Sequence, residues 1–184
     1  MPQTGTRPTP SGARVRLRPW RADDADAVLA ACQDAEIQPW TQVPVPYRRE
    51  HAEAFVGEIA RATAAAGGGL FAVELREGGA LAGAMTLFPP RDGVGTGGYW
   101  TVAEHRGRGV TGEALRVVAD WAFGDLGLRR LELVVDRANV GSRRVAERAG
   151  FVAEGVLRQR SMHRGVPVDD VIYGLLATDP RPPV

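Results

Sequence analysis

A chain of 184 residues with 44% hydrophobic residues is long enough to bury one core and reads as a single domain. Its formal net charge of +1 offers no broad attraction to nucleic acid or to an anionic membrane, so any basic site is local and the partner is small or a short peptide. All 23 Lys+Arg positions are arginine and Cys32 is the single cysteine, which removes P-loop, pyridoxal and catalytic-lysine chemistry, disulfides and cysteine-rich zinc sites.

Met1 to Ala13 is rich in Pro, Gly and Thr with no apolar centre, which predicts a disordered arm over 1–13 rather than a leader peptide. "RVRLRPW" alternates and predicts a first strand ending near Pro19. "RADDADAVLAACQ" opens on acids and sets Val28, Leu29 and Cys32 on one side of an amphipathic helix. "EIQPWTQVPVPY" is a proline-punctuated loop, and "REHAEAFVGEIARATAAA" a second helix stopped by "GGG". The period then changes: "LFAVELR" and "LAGAMTLF" flank "EGGA" as a hairpin, and "GGYWTVA" follows as a further strand. "GVTGEALRVVADWAF" is a helix with Leu115, Val118, Ala119 and Ala122 in its apolar stripe. "RRLELVVD" is a strand, "SRRVAERAG" a short helix, and "FVAEGVLRQRSM" with "DDVIYGLLA" a last hairpin about "HRGVP". The order predicts a mixed α/β (α+β) domain over 14–178 with most strands antiparallel, and a tail over 179–184. No apolar run is long enough to span a bilayer, so a cytoplasmic protein is expected. His51, His105 and His163 are scattered without metal-ligand spacing, so no metal site is expected.

"EHRGRGVTGEAL" places Arg106 and Arg108 between glycines at the mouth of a helix. Unpaired N–H groups and the positive end of the dipole make such a mouth an anion site, and the flanking arginines point to phosphate. Gly107, Gly109 and Gly112 also satisfy the G-x-G-x-x-G pattern of a nicotinamide-dinucleotide fold, with Asp136 at the end of the next strand. That fold needs several βαβ units, whereas a meander precedes this loop and one crossover follows it.

Three ordered blocks, "GYWTVAEHRGRGVTGEAL", "LRRLELVVDRANVGSRRVAERAGF" and "EGVLR", carry a resemblance to the GCN5-related N-acetyltransferase (GNAT) superfamily. They are most similar to its RimJ/RimL-like branch, which acetylates N-terminal amines of ribosomal proteins. The resemblance spans most of Val15 to Ala177. It implies a mixed, mostly antiparallel sheet of six to seven strands, splayed between the fourth and fifth, with about four flanking helices. It further implies acetyl-CoA as co-substrate, with the pyrophosphate on the turn of Arg106, Gly107, Arg108, Gly109, Val110, Thr111 and Gly112. The pantetheine arm would then bond the main chain of Thr101 and Val102 inside the splay. Thr111 stands where Gly or Ala is usual, and Gly112 where the branch often has Thr.

The same resemblance assigns the chemistry. Many members use a tyrosine in the helix after Asn139 to protonate the leaving thiolate, and Ala146 stands in its place. The N-terminal-acetylating branch uses a serine near the helix start, which matches Ser142. Asn139 is a helix cap, alone or with a cofactor contact. The glutamates that relatives carry are absent: Thr96 and Gly97 stand at one position and Ser161 at the other. Water-mediated deprotonation through Glu154, His163 or Asp169 is left open, as is an acceptor amine of low pKa. The acceptor pocket is expected from the loop between the first helices and the final hairpin, with Trp40, Pro44, Tyr47, Phe88 and Tyr173. The sequence thus implies an acetyl-CoA-dependent transferase acting on a peptide α-amine or a small-molecule amine in a ternary complex. A non-catalytic acyl-CoA-binding module and a nicotinamide-binding protein are the rivals, and a homodimer is left open.

Overall fold

The computed structural model describes residues 9–182. Residues 1–8 of the expected arm and 183–184 of the expected tail lie outside the described residues. From Pro10 the arm is folded back on the first strand: Leu17 N donates to Pro10 O and Gly12 N to Val15 O, both at 2.8 Å. Arg76 Nη1 adds a bond to Gly12 O at 2.9 Å, so the folded unit starts by Pro10 rather than at Arg14.

Strands Val15–Pro19 (β1), Gly69–Leu75 (β2), Leu81–Leu87 (β3), Val94–Thr101 (β4), Arg130–Asp136 (β5), Val152–His163 (β6) and Val166–Leu176 (β7) form one seven-stranded sheet in the order β1-β2-β3-β4-β5-β7-β6. All neighbours are antiparallel except β4 and β5. Alternation dictates the faces. In β5, Leu131, Leu133 and Val135 are buried while Glu132 and Val134 turn to the other side.

Helices Val110–Gly124 (α4) and Val140–Arg148 (α5) cover the face that carries Leu131, Leu133, Val171, Tyr173 and Leu175. On the other face of β2 to β4, Ala25–Cys32 (α1) joins a rod made of Arg49–Ala54 (α2), a π turn at Phe55–Ile59, and Ala60–Ala65 (α3). A second core forms there from Trp20, Val28, Cys32, Tyr47, Ala52, Leu70, Ala72 and Ala84. Each fully buried Val or Leu contributes about 1.5–3 kcal/mol of transfer free energy. Among the described residues no comparable hydrophobic cluster covers that face over β5 to β7. Among the described residues no helix is long and apolar enough to cross a membrane.

Three buried carboxylates anchor β1. Glu74 and Asp24 both hold Arg18, with Arg18 Nη1 and Nη2 at 2.7 and 2.8 Å from Asp24. Glu113, 2% exposed in the first turn of α4, accepts from Arg14 N at 2.6 Å, Arg14 Nε at 2.7 Å and Val15 N at 3.2 Å. Burial alone raises the Glu113 carboxyl, but the bonds from Arg14 and Val15 more than offset it and hold the group below its ordinary value. A depressed folded pKa gives stability that is full above the unfolded value, about 4.3, and is lost as pH falls through the folded one. Glu113→Gln is expected to cost about 1–3 kcal/mol at neutral pH and to flatten the loss of stability below about pH 4. Urea unfolding of both proteins between pH 7 and pH 3 measures this, and parallel curves over that range would refute the role.

Candidate functional site

β4 and β5 pair from Val94↔Arg130 through Gly97↔Leu133 and no further, although β4 runs on to Thr101 and β5 to Asp136. On the core face of β4, a Cβ on Gly95 would lie 2.8 Å from Leu87 Cδ1, and one on Gly97 2.9 Å from Leu133 Cδ2. The strands close where that face carries no side chain. Tyr99 is the next residue on it, and there the ladder has already ended.

The open edge has a defined polarity. Phe88 N donates to Thr96 O at 2.9 Å and Val102 N to Ala82 O at 3.0 Å, so even-numbered residues of β4 bond β3. The main-chain groups of Tyr99 and Thr101 therefore face the gap. This corrects the expected contact at Val102, whose N–H is committed to Ala82 and whose C=O accepts from His105 N at 3.0 Å. At the odd-numbered position before Thr101, it is Tyr99 whose main-chain groups face the gap.

At the end of this edge lies the glycine turn. Gly109 caps α4 with φ 76°, a left-handed value that suits glycine, and the first helical bond runs from Glu113 N to Gly109 O at 3.1 Å. The N–H groups of Val110, Thr111 and Gly112 are thus free of intrahelical partners. A Cβ on Gly107 would meet nothing within 4 Å, so the turn is open on that side. Arg108 is exposed, and its carbonyl is pinned by Arg14 Nη1 at 2.9 Å. Arg106 differs from expectation: its N–H donates to Ala103 O at 3.2 Å, its Nε to Thr101 O at 3.1 Å, and its Nη2 pairs with Asp34 at 2.5 Å. Those bonds make it a brace for the turn. The Thr111 hydroxyl is likewise engaged, with Thr101 at 2.6 Å. Arg116 lies over the same turn: its Nη1 is 3.8 Å from a Cβ position on Gly112, and its Nε is buried without a partner among the described residues. Its i+4 spacing from Gly112 is the signal that marks it.

Across the gap, Asn139 caps α5, its Oδ1 accepting from Ser142 N at 2.9 Å. The Ser142 hydroxyl lies 2.8 Å from Tyr99 Oη, which also donates to Ser142 O at 3.2 Å. Burial pushes the Tyr99 phenol up to about 12, against the pull of its bond to Ser142, so it stays protonated at neutral pH. Ala146, where many relatives carry a tyrosine, is fully buried. The phenol beside Ser142 comes instead from β4.

The expected acceptor aromatics separate into two groups. Trp40, 41% exposed, and Phe88, 51% exposed, are on the surface, with Phe88 lying against Gly98 of β4. Tyr47 is buried in the second core, and Tyr173 is fully buried on the α5 face, bonded to Glu147 at 2.9 Å and Arg143 at 3.3 Å. Tyr47 and Tyr173 are packing residues, because each shares its face with a hydrophobic cluster. The loop and the final hairpin do meet: Arg164 Nη2 bonds Gln38 O at 3.1 Å and Val43 O at 3.2 Å.

Of the groups considered for deprotonation, Glu154, at the start of β6, is held below its ordinary range by its hydrogen bond to Arg130. Asp169 Oδ1 accepts from Gln159 N at 2.9 Å. His163 Nε2 is buried without a partner. Ser161 donates to Asp170, a buried carboxylate that the sequence reading passed over.

The family described as acetyltransferase (GNAT) domain matches residues 14–152. "Probable N-acetyltransferase YjcK" of Bacillus subtilis is 42% identical over 82 residues, 45% of this chain and 45% of that protein, so less than half of that relative's length is spanned. "Uncharacterized N-acetyltransferase p20" of Bacillus licheniformis is 24% identical over 165 residues, 89% of this chain and 93% of that protein. Among solved structures, RimJ of Mycobacterium smegmatis, in complex with CoA-disulfide, superposes with a TM-score of 0.79 at 27% identity, covering 92% of this chain and 84% of that one. Family match, interrupted ladder and glycine-capped helix agree, and the chain belongs to the GNAT acetyltransferase family, with RimJ/RimL-type ribosomal-protein acetyltransferases among its structural neighbours.

Proposed function

We propose that this chain transfers the acetyl group of acetyl-CoA directly to a primary amine, the α-amine of a peptide or protein N-terminus or that of a small molecule, within a ternary complex. The observation that carries the reading is the gap itself. It is an unpaired strand edge with a free helix mouth at one end and the Ser142–Tyr99 hydroxyl pair across it.

The residues fit the co-substrate's chemistry. The N–H groups of Val110, Thr111 and Gly112, with Gly107, Arg108 and Arg116 beside them, suit a pyrophosphate. Main-chain groups of Tyr99 and Thr101 suit the amide-bearing arm, and the Asn139 side-chain amide stands at the same end of α5. When bound, acetyl-CoA supplies the activated acetyl thioester. Ser142 Oγ then gives a proton to the departing sulfur and takes one from Tyr99 Oη, which is protonated at neutral pH beforehand and regains its proton from solvent once CoA has left. Trp40 and Phe88 offer apolar surface to the acceptor, which enters on the side of the sheet that no helix covers.

Thermal unfolding with acetyl-CoA, CoA and NADH side by side tests the first half of this reading. Acetyl-CoA and CoA are expected to raise the midpoint, by about 2.7 kcal/mol of stabilisation at a hundredfold excess over Kd, and NADH is not. Stabilisation by NADH alone would overturn it. Acetylation is then scored on peptides with a free N-terminal Ser or Ala and on spermidine. If acetyl-CoA binds and none is acetylated, the chain is a binding module rather than a transferase.

Ser142→Ala is expected to lower kcat about 100-fold with acetyl-CoA affinity kept, and Tyr99→Phe about tenfold. Unchanged turnover and pH profile in Ser142→Ala would remove the serine from the mechanism.

A further inference from the structure

The last hairpin carries a distortion that a plain edge strand does not need. β6 and β7 pair through Leu157↔Asp170 and resume at Ser161↔Val168, so Arg158, Gln159 and Arg160 bulge opposite Asp169 alone. Gln159 sits at φ 50°, a left-handed value rare for a residue with a side chain, and Asp169 Oδ1 holds its N–H. Bulges re-aim side chains, and backbone strain of this kind persists where the surroundings enforce it. What the bulge brings about is a contact: Ser161 Oγ donates to Asp170 Oδ2 at 2.5 Å.

Asp170 is 3% exposed. Its nearest cation among the described residues is Arg160, with Nη1 at 3.7 Å and a half-exposed side chain, and its cross-strand neighbour in β5 is another acid, Asp136. A buried carboxylate whose one ion-pair partner stands at 3.7 Å is incompletely compensated, and an arriving cation adds to that compensation. Val171, Tyr173 and Leu175 face α4 and α5, so Asp170, with Ser161 and His163, lies on the opposite side. That is the uncovered side, across which Arg164 ties the hairpin to the Trp40 loop. Ser161 is half-buried, the more open end of the pair. Asp136, opposite Asp170, ends the strand that leads into α5 and Ser142.

We infer that Asp170, acting through Ser161, is the base that takes the proton from the acceptor ammonium, an assignment that rests on the acetyl-transfer reading. An ammonium hydrogen passes to Ser161 Oγ as the serine hydroxyl hydrogen passes to Asp170 Oδ2. This leaves a neutral amine, an unchanged serine hydroxyl and a neutral carboxyl, which returns its proton to solvent after product departs. The carboxylate expected at position 161 is thereby supplied from the neighbouring strand.

The assay uses the full chain and the amine of the Ser-peptide, Ala-peptide and spermidine set that the wild type acetylates fastest. Asp170→Asn is expected to lower kcat about 100-fold and to weaken binding of that amine to the CoA-loaded protein about tenfold. Its rate should climb with pH up to the amine's own pKa, about 8 for a peptide. Stabilisation by acetyl-CoA should be untouched. Adding Ser161→Glu to Asp170→Asn should return about tenfold of the lost rate. Wild-type turnover and amine binding in Asp170→Asn would overturn the assignment. If Asp170→Asn fails to fold, a wild-type rate and pH profile in Ser161→Ala would overturn it equally. If the wild type binds acetyl-CoA and acetylates none of the three amines, the transfer reading falls first and the two roles with it.

Discussion

Between β4 and β5 the ladder stops short of the ends of both strands, and the stop is set by which side chains face the core along β4. Gly95 and Gly97 leave room for β5 to approach, with Leu133 where the second glycine's Cβ would stand. Tyr99 follows on the same face, and past Gly97 the two parallel strands have no further pairing. A mid-sheet edge leaves main-chain donors and acceptors without partners, and a buried unpaired group costs about 1–3 kcal/mol. On the acetyl-transfer reading, the slot so left is completed by a ligand with main-chain-like amides.

The rest of the site is held by polar ties between elements distant in sequence. Arg14 reaches both Glu113 in the first turn of α4 and the carbonyl of Arg108, so the start of β1 clamps the far side of the glycine turn. Arg106 braces the near side against Asp34 after α1 and against the end of β4. Arg164 fastens the last hairpin to the loop after α1. The turn and the acceptor side are thus both anchored to the region around α1. A turn held in this way loses little conformational freedom when an anion docks, and affinity gains from that rather than from extra contacts.

The element order was readable because each element has a clear period: two in β1 to β5, three to four in α4, with glycines and prolines marking the ends. The seven strands and their near-uniform antiparallel pairing followed, and the splay between the fourth and fifth came from the family resemblance. The side-chain roles were less accessible, for specific reasons. Tyr173 alternates with Val171 and Leu175, a core pattern present in the sequence, yet its aromatic ring drew it toward a binding role. Which main-chain groups of β4 face the gap depends on the register with β3, which no local pattern encodes, so the Val102 contact that the family resemblance implies could not be checked from the sequence. Tyr99 and Ser142 lie 43 residues apart, and the contact exists only because the fold brings the first turn of α5 within reach of the Tyr99 hydroxyl. Asp170 was hidden by Asp169: of two adjacent acids, only the pairing register and the bulge at Gln159 decide which one meets Ser161.

The two hydroxyls share a design that bears on why the expected acidic side chains are missing. Ser142 is backed by a phenol and Ser161 by a carboxylate, each from a different strand, and Asp170 is more buried than the serine it touches. A hydroxyl both donates and accepts, so it passes a proton onward without carrying a charge itself. The ionisable group can then sit away from solvent, where its interactions are stronger, while a small neutral atom meets the reactant. Arginine supplies every basic side chain here apart from three histidines, and a solvent-facing carboxylate in such a surface is readily captured as an ion pair, as Glu154 is by Arg130. Setting Asp170 behind Ser161 keeps it out of a close arginine pair, and Arg160 at 3.7 Å is near enough to stabilise the carboxylate without saturating it.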